Sequence, residues 1–202
     1  MNSRPPHAQA MATPTSPGKR RFPRDVAMRV AAELCRELQP ACERLVVAGS
    51  LRRGRESVGD IEILYVPRTE MRVDPANMFE RVEASLVDDV LERWERLGAM
   101  ERRLNSRGAA TYGPKNKLMR HVATGLPVDF FATAHACWWN YLVCRTGPSE
   151  SNIRIAEAAR AHGWKWNPYG PGFSRGDEVA AMTSEEAVFA FVNLPYKAPD
   201  KR

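Results

Sequence analysis

The sequence predicts an α/β or α+β fold: a mixed sheet flanked by helices, followed by a small C-terminal α+β unit. Three observations carry this expectation. Val26, Val30, Leu34 and Leu38 recur every four residues, the mark of an amphipathic helix. The short apolar runs Leu45-Val46-Val47-Ala48 and Ile61-Glu62-Ile63-Leu64-Tyr65-Val66 read as strands. After Lys165 the character changes, and a Gly/Pro/Asn-rich stretch over 167–176 reads as a small hairpin.

Taken in order, residues 1–23 hold five prolines and little apolar material, so they are expected to form a disordered tail. The helix carrying Val26 to Leu38 is limited by Pro40. Gly49-Ser50 opens a tight turn into a brief helix over 51–54. A long helix is expected over about 76–97, with Phe79, Val82, Leu86, Val90, Trp94 and Leu97 on one side and Gly98 at its C′ position. Strands follow over 100–104, 109–113, 117–123 and 126–132, punctuated by Gly108, Gly113-Pro114 and Gly125. Helices are expected over 135–145 and 149–162, the second closed by Gly163. Thr183-Ser184-Glu185-Glu186 forms a capping box ahead of Val188, Phe189, Phe191 and Val192, where a last helix begins. This gives a tail over 1–23, a catalytic α/β domain over 24–143 and a C-terminal subdomain over 144–202.

Composition narrows the function. The 202 residues are 44% hydrophobic, enough for a real core, and carry a net charge of +6. Arg4, Lys19, Arg20, Arg21 and Arg24 fall in the first 24 residues, which contain no acid, and such a tail suits a polyanionic partner. No apolar run approaches the roughly 20 residues of a membrane span, and the N-terminus is not a secretory signal. Cys35, Cys42, Cys137 and Cys144 form no C-x-x-C pair and fall on predicted helices. Buried thiols in a reducing, intracellular compartment are the expectation. The four histidines show no ligand spacing, so no zinc site is expected. Trp138, Trp139, Trp164 and Trp166 read as core.

The segment that carries chemistry is Gly49-Ser50-Leu51-Arg52-Arg53-Gly54, then Gly59-Asp60-Ile61-Glu62. Asp60 and Glu62 lie two apart on a strand, so their side chains leave one face. Paired carboxylates repel unless a proton or cation intervenes, and hard oxygen ligands at this spacing suit Mg²⁺. A Gly-Ser turn entering a helix presents backbone N–H groups to an anion, and Arg53 adds a fork-shaped cation able to grip phosphate.

This segment resembles the signature of the polymerase beta nucleotidyltransferase superfamily, and Arg52-Arg53-Gly54 resembles family X DNA polymerases in particular. Three further stretches agree in order: Val128-Asp129-Phe130-Phe131, Thr146-Gly147 with Asn152, and Thr183 through Pro199. The resemblance spans roughly residues 24–202. It implies a nucleotidyltransferase palm followed by a nucleotide-selecting subdomain. Asp60, Glu62 and Asp129 would be the catalytic, metal-holding acids, with two Mg²⁺ ions as cofactors and Mn²⁺ as a possible substitute. Gly49, Ser50, Arg53 and Gly59 would bind the triphosphate. Thr146, Gly147 and Asn152 would touch the sugar and base of the incoming nucleotide. The implied activity is template-directed addition of nucleotides to a DNA 3′-hydroxyl in short gaps, of DNA-repair type. Partners would be primer-template or gapped DNA and nucleoside triphosphates, with no membrane and a monomeric state.

The sequence departs from the family pattern at three points. Glu62 stands where an aspartate is usual, and its extra methylene moves the oxygens. Cys144-Arg145 stands where aromatic residues are usual near the sugar, which bears on sugar discrimination. The chain also has no room for the N-terminal lyase and DNA-gripping helical domains, so it resembles the minimal polymerases of some viruses. Two rivals stay open: a nucleotidyltransferase with a non-DNA acceptor, and a catalytically impaired nucleic-acid-binding module.

Overall fold

The computed structural model describes residues 20–105 and 107–202. Residues 1–19 of the expected tail lie outside the described residues, but its last residues are ordered, which corrects the expected boundary at 23. Strand β1 (Phe22–Pro23) pairs antiparallel with β3 (Ser57–Val58). Arg21 Nε donates to Ser57 Oγ at 2.9 Å. Phe22 is the reason: only 5% exposed, it packs in the main core. One aromatic ring is enough to anchor a segment whose average composition is polar.

Helix α1 (Arg24–Leu38) buries Ala27, Val30, Ala31, Leu34 and Leu38. Pro40 sits in a 3₁₀ turn over Gln39–Ala41 that delivers the chain to β2 (Cys42–Val47). Cys42 therefore opens a strand instead of lying on a helix. The brief helix α2 (Gly49–Arg52) starts at Gly49, two residues earlier than expected. Strand β4 (Ile61–Pro67) follows β3, as the apolar run predicts.

The largest correction lies between 69 and 85. Where a helix was expected from about 76, the chain forms a hairpin of β5 (Thr69–Asp74) and β6 (Asn77–Ser85), and α3 begins only at Leu86 (Leu86–Arg96). Turn chemistry won over periodicity. The Asp74 side chain accepts from the Ala76 N–H at 2.8 Å, and Asn77 accepts from the Phe79 N–H at 3.2 Å. Such local bonds compete with a helix, and Pro75 between them suits a turn. Phe79, expected on the buried side, is 91% exposed. From residue 86 the chain is helical as expected and Gly98 at φ +70° closes the helix, but the buried side is Val87, Leu91 and Trp94; Leu86 and Val90 are half-buried, and Leu97, expected on the buried side, is 74% exposed.

Strands β7 (Met100–Arg102), β8 (Asn116–His121) and β9 (Leu126–Ala132) complete a five-stranded sheet of order β2-β4-β9-β8-β7. Only β4 and β9 run parallel, so the sheet is mixed, as expected. The strand expected over 109–113 is reduced to the isolated bridges Leu104–Ala110 and Tyr112–Lys117. One face of the sheet, with Ile61, Ile63, Tyr65, Val128 and Phe130, packs under α1 and α3. The other bears Leu64, Val66 and Phe131.

Helix α4 (Trp138–Thr146) lies on that second face and leads into α5 (Ser149–Ala161). A three-stranded antiparallel sheet of β10 (Lys165–Trp166), β11 (Gly172–Arg175) and β12 (Glu178–Ala181) follows, then α6 (Glu185–Phe191). The cap of α6 is one residue later than expected: Ser184, not Thr183, accepts from the Ala187 N–H at 3.0 Å. Val143, Ile155, Ala159, Phe173 and Val188 form the core of this C-terminal unit. The tryptophans are core residues, as expected: Trp138 and Trp166 are buried, while Trp139 and Trp164 pack at core edges.

Candidate active site

The parallel pairing of β4 and β9 sets the site. In that register Glu62 lies opposite Asp129, and Leu64 opposite Phe131. Period-two alternation sends Glu62, Leu64 and Val66 to one face while Ile61, Ile63 and Tyr65 go to the other, so the acids share the face that α4 covers. Asp60, half-buried, stands immediately ahead of β4. The structure thus brings Asp60, Glu62 and Asp129 together. Glu62 registers their closeness: its pKa is pushed up to about 7 by burial first and then by Asp60, with Asp129 adding to the rise and Arg145 and Arg53 opposing it.

The Glu62 side chain does not reach outward. It folds back against Gly49, and a Cβ added at Gly49 would collide with its carboxylate. Gly49 adopts φ +62°, a conformation open to glycine. Ala48 N–H donates to Glu62 O at 2.8 Å, tying the two segments at the backbone.

Two arginines attend the acids. Arg103, from the loop after β7, pairs with Asp129. Arg145, on α4, places Nη1 4.0 Å from Glu62 Oε1. Arg103 was not singled out in the sequence; it reaches Asp129 because its backbone N–H bonds Leu118, the residue opposite Asp129 on β8. In this arrangement, and among the described residues, no three His, Cys, Asp or Glu side chains are gathered into a metal-holding group. The donor chemistry nevertheless fits a hard divalent cation. Glu62 and Asp129 stand on adjoining strands with Asp60 just ahead of β4, and burial and then like charge raise the Glu62 pKa.

The expected phosphate-binding residues surround α2. Gly59 is buried and Ser50 half-buried. Arg53 donates to the Thr146 carbonyl, and its Nε is buried without a hydrogen-bond partner. Burial, and next the nearby Arg55, lower the Arg53 pKa, against the opposing pull of Glu62 and Glu150. Gly147, also at φ +62°, leaves bare backbone beside Arg53.

Thr146 departs from expectation. It is fully buried, and its hydroxyl accepts from Arg52 Nη1 at 2.6 Å, so the side chain holds Arg52 and has no face for a nucleotide in this arrangement. Arg52 continues to Glu185 at 2.5 Å, and Glu185 to Arg202 at 2.5 Å. Asn152 donates to the Cys144 carbonyl at 2.9 Å, and its Oδ1 is buried without a partner.

The DNA polymerase beta thumb family model matches residues 141–202. The polymerase beta of Leishmania infantum, solved as a ternary P/T complex, superposes with a TM-score of 0.66 at 17% identity, over 91% of this chain and 77% of that one. The protein has the fold of a family X-like DNA polymerase. No curated protein matches the sequence. The thumb match opens within α4 and takes in α5, the three-stranded sheet and α6. No helix among the described residues is long and apolar enough to cross a membrane.

Proposed function

We propose that the protein is a metal-dependent nucleotidyltransferase that adds nucleotides to a DNA 3′-hydroxyl, working on short gaps in a template-directed manner. The observation that carries this reading is the register of Glu62 opposite Asp129 on adjacent parallel strands, with Asp60 at the head of the row. Asp60 and Glu62 would hold two Mg²⁺ ions, and Asp129 the one nearer the attacking oxygen. When bound, the ions supply Lewis acidity at the attacking and leaving oxygens. Asp129 orients the 3′-hydroxyl for in-line attack on the α-phosphorus as the bond to pyrophosphate breaks. Ser50, Arg53 and the Gly59 backbone neutralise and align the triphosphate, with Arg53 gripping it in a fork. Gly147, lacking a side chain, admits the nucleotide close to α4. Thr146 acts indirectly by holding Arg52 and Arg53 in place. Asn152 stands one turn into α5, where a released Nδ2 can meet the incoming nucleotide.

The test is extension of a gapped DNA duplex with each dNTP, in Mg²⁺ and in Mn²⁺, beside single-stranded RNA. Extension of DNA is expected, with Asp60→Ala, Glu62→Ala and Asp129→Ala each reducing turnover to background while the far-UV spectrum is unchanged. Full activity in any one variant removes that residue from the site. Labelling of RNA alone would assign the fold to another acceptor, and cation binding without turnover would make it a binding module.

A further inference from the structure

A cavity of about 510 Å³ opens beside α4 at the end of the sheet where β4 and β9 finish and β8 begins, beyond the row of acids. The sheet contributes Asn116 and Ala132, with Lys115 and Thr133 at the strand ends. Helix α4 contributes Tyr141 and Arg145, and Tyr169 closes it from the loop between β10 and β11. This volume lies in the range of small-molecule sites, which pair apolar walls with a few convergent polar groups.

The lining says what would fit. Tyr141 and Tyr169 meet edge to face with centroids 5.0 Å apart, and Tyr169 is 56% exposed, so its ring is within reach of a ligand from solvent. Arg145 lies 3.6 Å over Phe131 and 5.3 and 5.6 Å from the rings of Tyr141 and Tyr169. Its charge is only loosely met. Glu62 is 4.0 Å away, and the buried Arg145 Nε has no hydrogen-bond partner. Lys115 adds a second cation at the rim, and among the described residues no carboxylate pairs with it. The Asn116 amide accepts from Tyr141 Oη at 3.3 Å, and Thr133 contributes a hydroxyl. Stacking surface beside two under-compensated cations recognises a planar ring that carries a negative charge.

We infer that this cavity is a binding site for a small aromatic anion, the chemistry shared by a nucleoside monophosphate and an aromatic carboxylate, held by Arg145 and Lys115 at its charge and by Tyr169 at its ring. Because Arg145 also faces Glu62, an anion here shares a guanidinium with the acid row. The site needs none of the proposed catalytic acids.

Calorimetric titration of the full chain, without divalent cations, tests this with dAMP, benzoate, adenosine and inorganic phosphate. One or both aromatic anions should bind, at least tenfold tighter than adenosine or phosphate, and which one binds identifies the source. Tyr169→Ala, on an exposed loop, should weaken binding about tenfold or more, the scale of one lost stacking or charge-assisted contact. Thr133→Trp, which fills the cavity from the sheet side, should abolish it, with the melting curve serving as the check on folding. Asp60→Asn and Arg53→Ala should leave binding unchanged, which separates this site from the proposed triphosphate site. Absence of binding by both anions at millimolar concentration overturns the inference. So does undiminished binding in Tyr169→Ala, or a loss confined to Arg53→Ala.

Discussion

Glu62 and Gly49 form a pair in which each explains the other. A glutamate in a strand that faces two other acids needs somewhere to put its carboxylate. The bare Cα of Gly49 supplies the space. Gly49→Ala should therefore be costly twice, through a positive φ, worth about 1 kcal/mol, and through collision with Glu62. A drop in melting temperature that Glu62→Ala partly restores is the expected double-mutant result. The electrostatics give a second prediction. Without divalent cations Glu62 has a folded-state pKa near 7, above its ordinary value of 4.5. The native state then holds the proton more tightly than the unfolded chain. The resulting stability is fully present below about pH 4.5 and is lost as pH rises through 7. Melting curves in a chelator from pH 5 to 8.5 should show wild type losing stability relative to Glu62→Gln, and parallel curves would refute the shift. The strand positions of Glu62 and Asp129 were legible in the sequence, because period-two alternation and an acid in an apolar run are local signals. Arg103 was not, since its contact with Asp129 depends on how two strands align.

At the scale of elements, the strands of the central sheet were read nearly to the residue where apolar runs were bounded by glycine, as for 126–132. The failure at 69–85 has a physical cause. Val82 and Leu86 continue a helical period from Phe79, but the side chains of Asp74 and Asn77 cap a turn and set the two segments in antiparallel register. Another difference rests on a single side chain. Phe22 converts the end of a polar tail into a strand held against β3, and average composition hides one ring. Phe22→Ala should cost about 3 kcal/mol, the scale of a buried aromatic truncation. Urea denaturation reads this directly, and a loss below about 1 kcal/mol would show that the ring is not an anchor. Removal of residues 1–23 should destabilise the chain by a similar amount, whereas removal of residues 1–19 spares the ring.

For the whole molecule, sheet and C-terminal unit are joined by polar as well as apolar contacts. Arg52, on α2, bonds Thr146 on α4 and Glu185 on α6, and Glu185 in turn holds Arg202. Glu185 and Arg202 have side chains only 5% and 1% exposed, so salt screens this chain little. Removing one member strands buried charge, and Glu185→Ala should lower stability by about 3 kcal/mol. If the loss falls below 1 kcal/mol in a thermal melt, the pairs are not compensating one another. Arg52 could not be matched to Thr146 or Glu185 from the sequence, because more than ninety positions separate it from either.

The sharing of α4 has a further consequence, one of severability. Trp138, Tyr141 and Leu142 pack with the sheet, while Val143 belongs to the core of the C-terminal unit. The thumb match opens at Tyr141, in the middle of this helix. A fragment cut there would begin without a helix start and would bare Tyr141 and Leu142, surfaces that drive association in water. It should sediment as oligomers whose size depends on concentration, whereas a co-expressed fragment ending at residue 140 should recapture it and return a single species. Evolution could exchange loops freely around this fold, but it could graft a new C-terminal unit only by carrying α4 along.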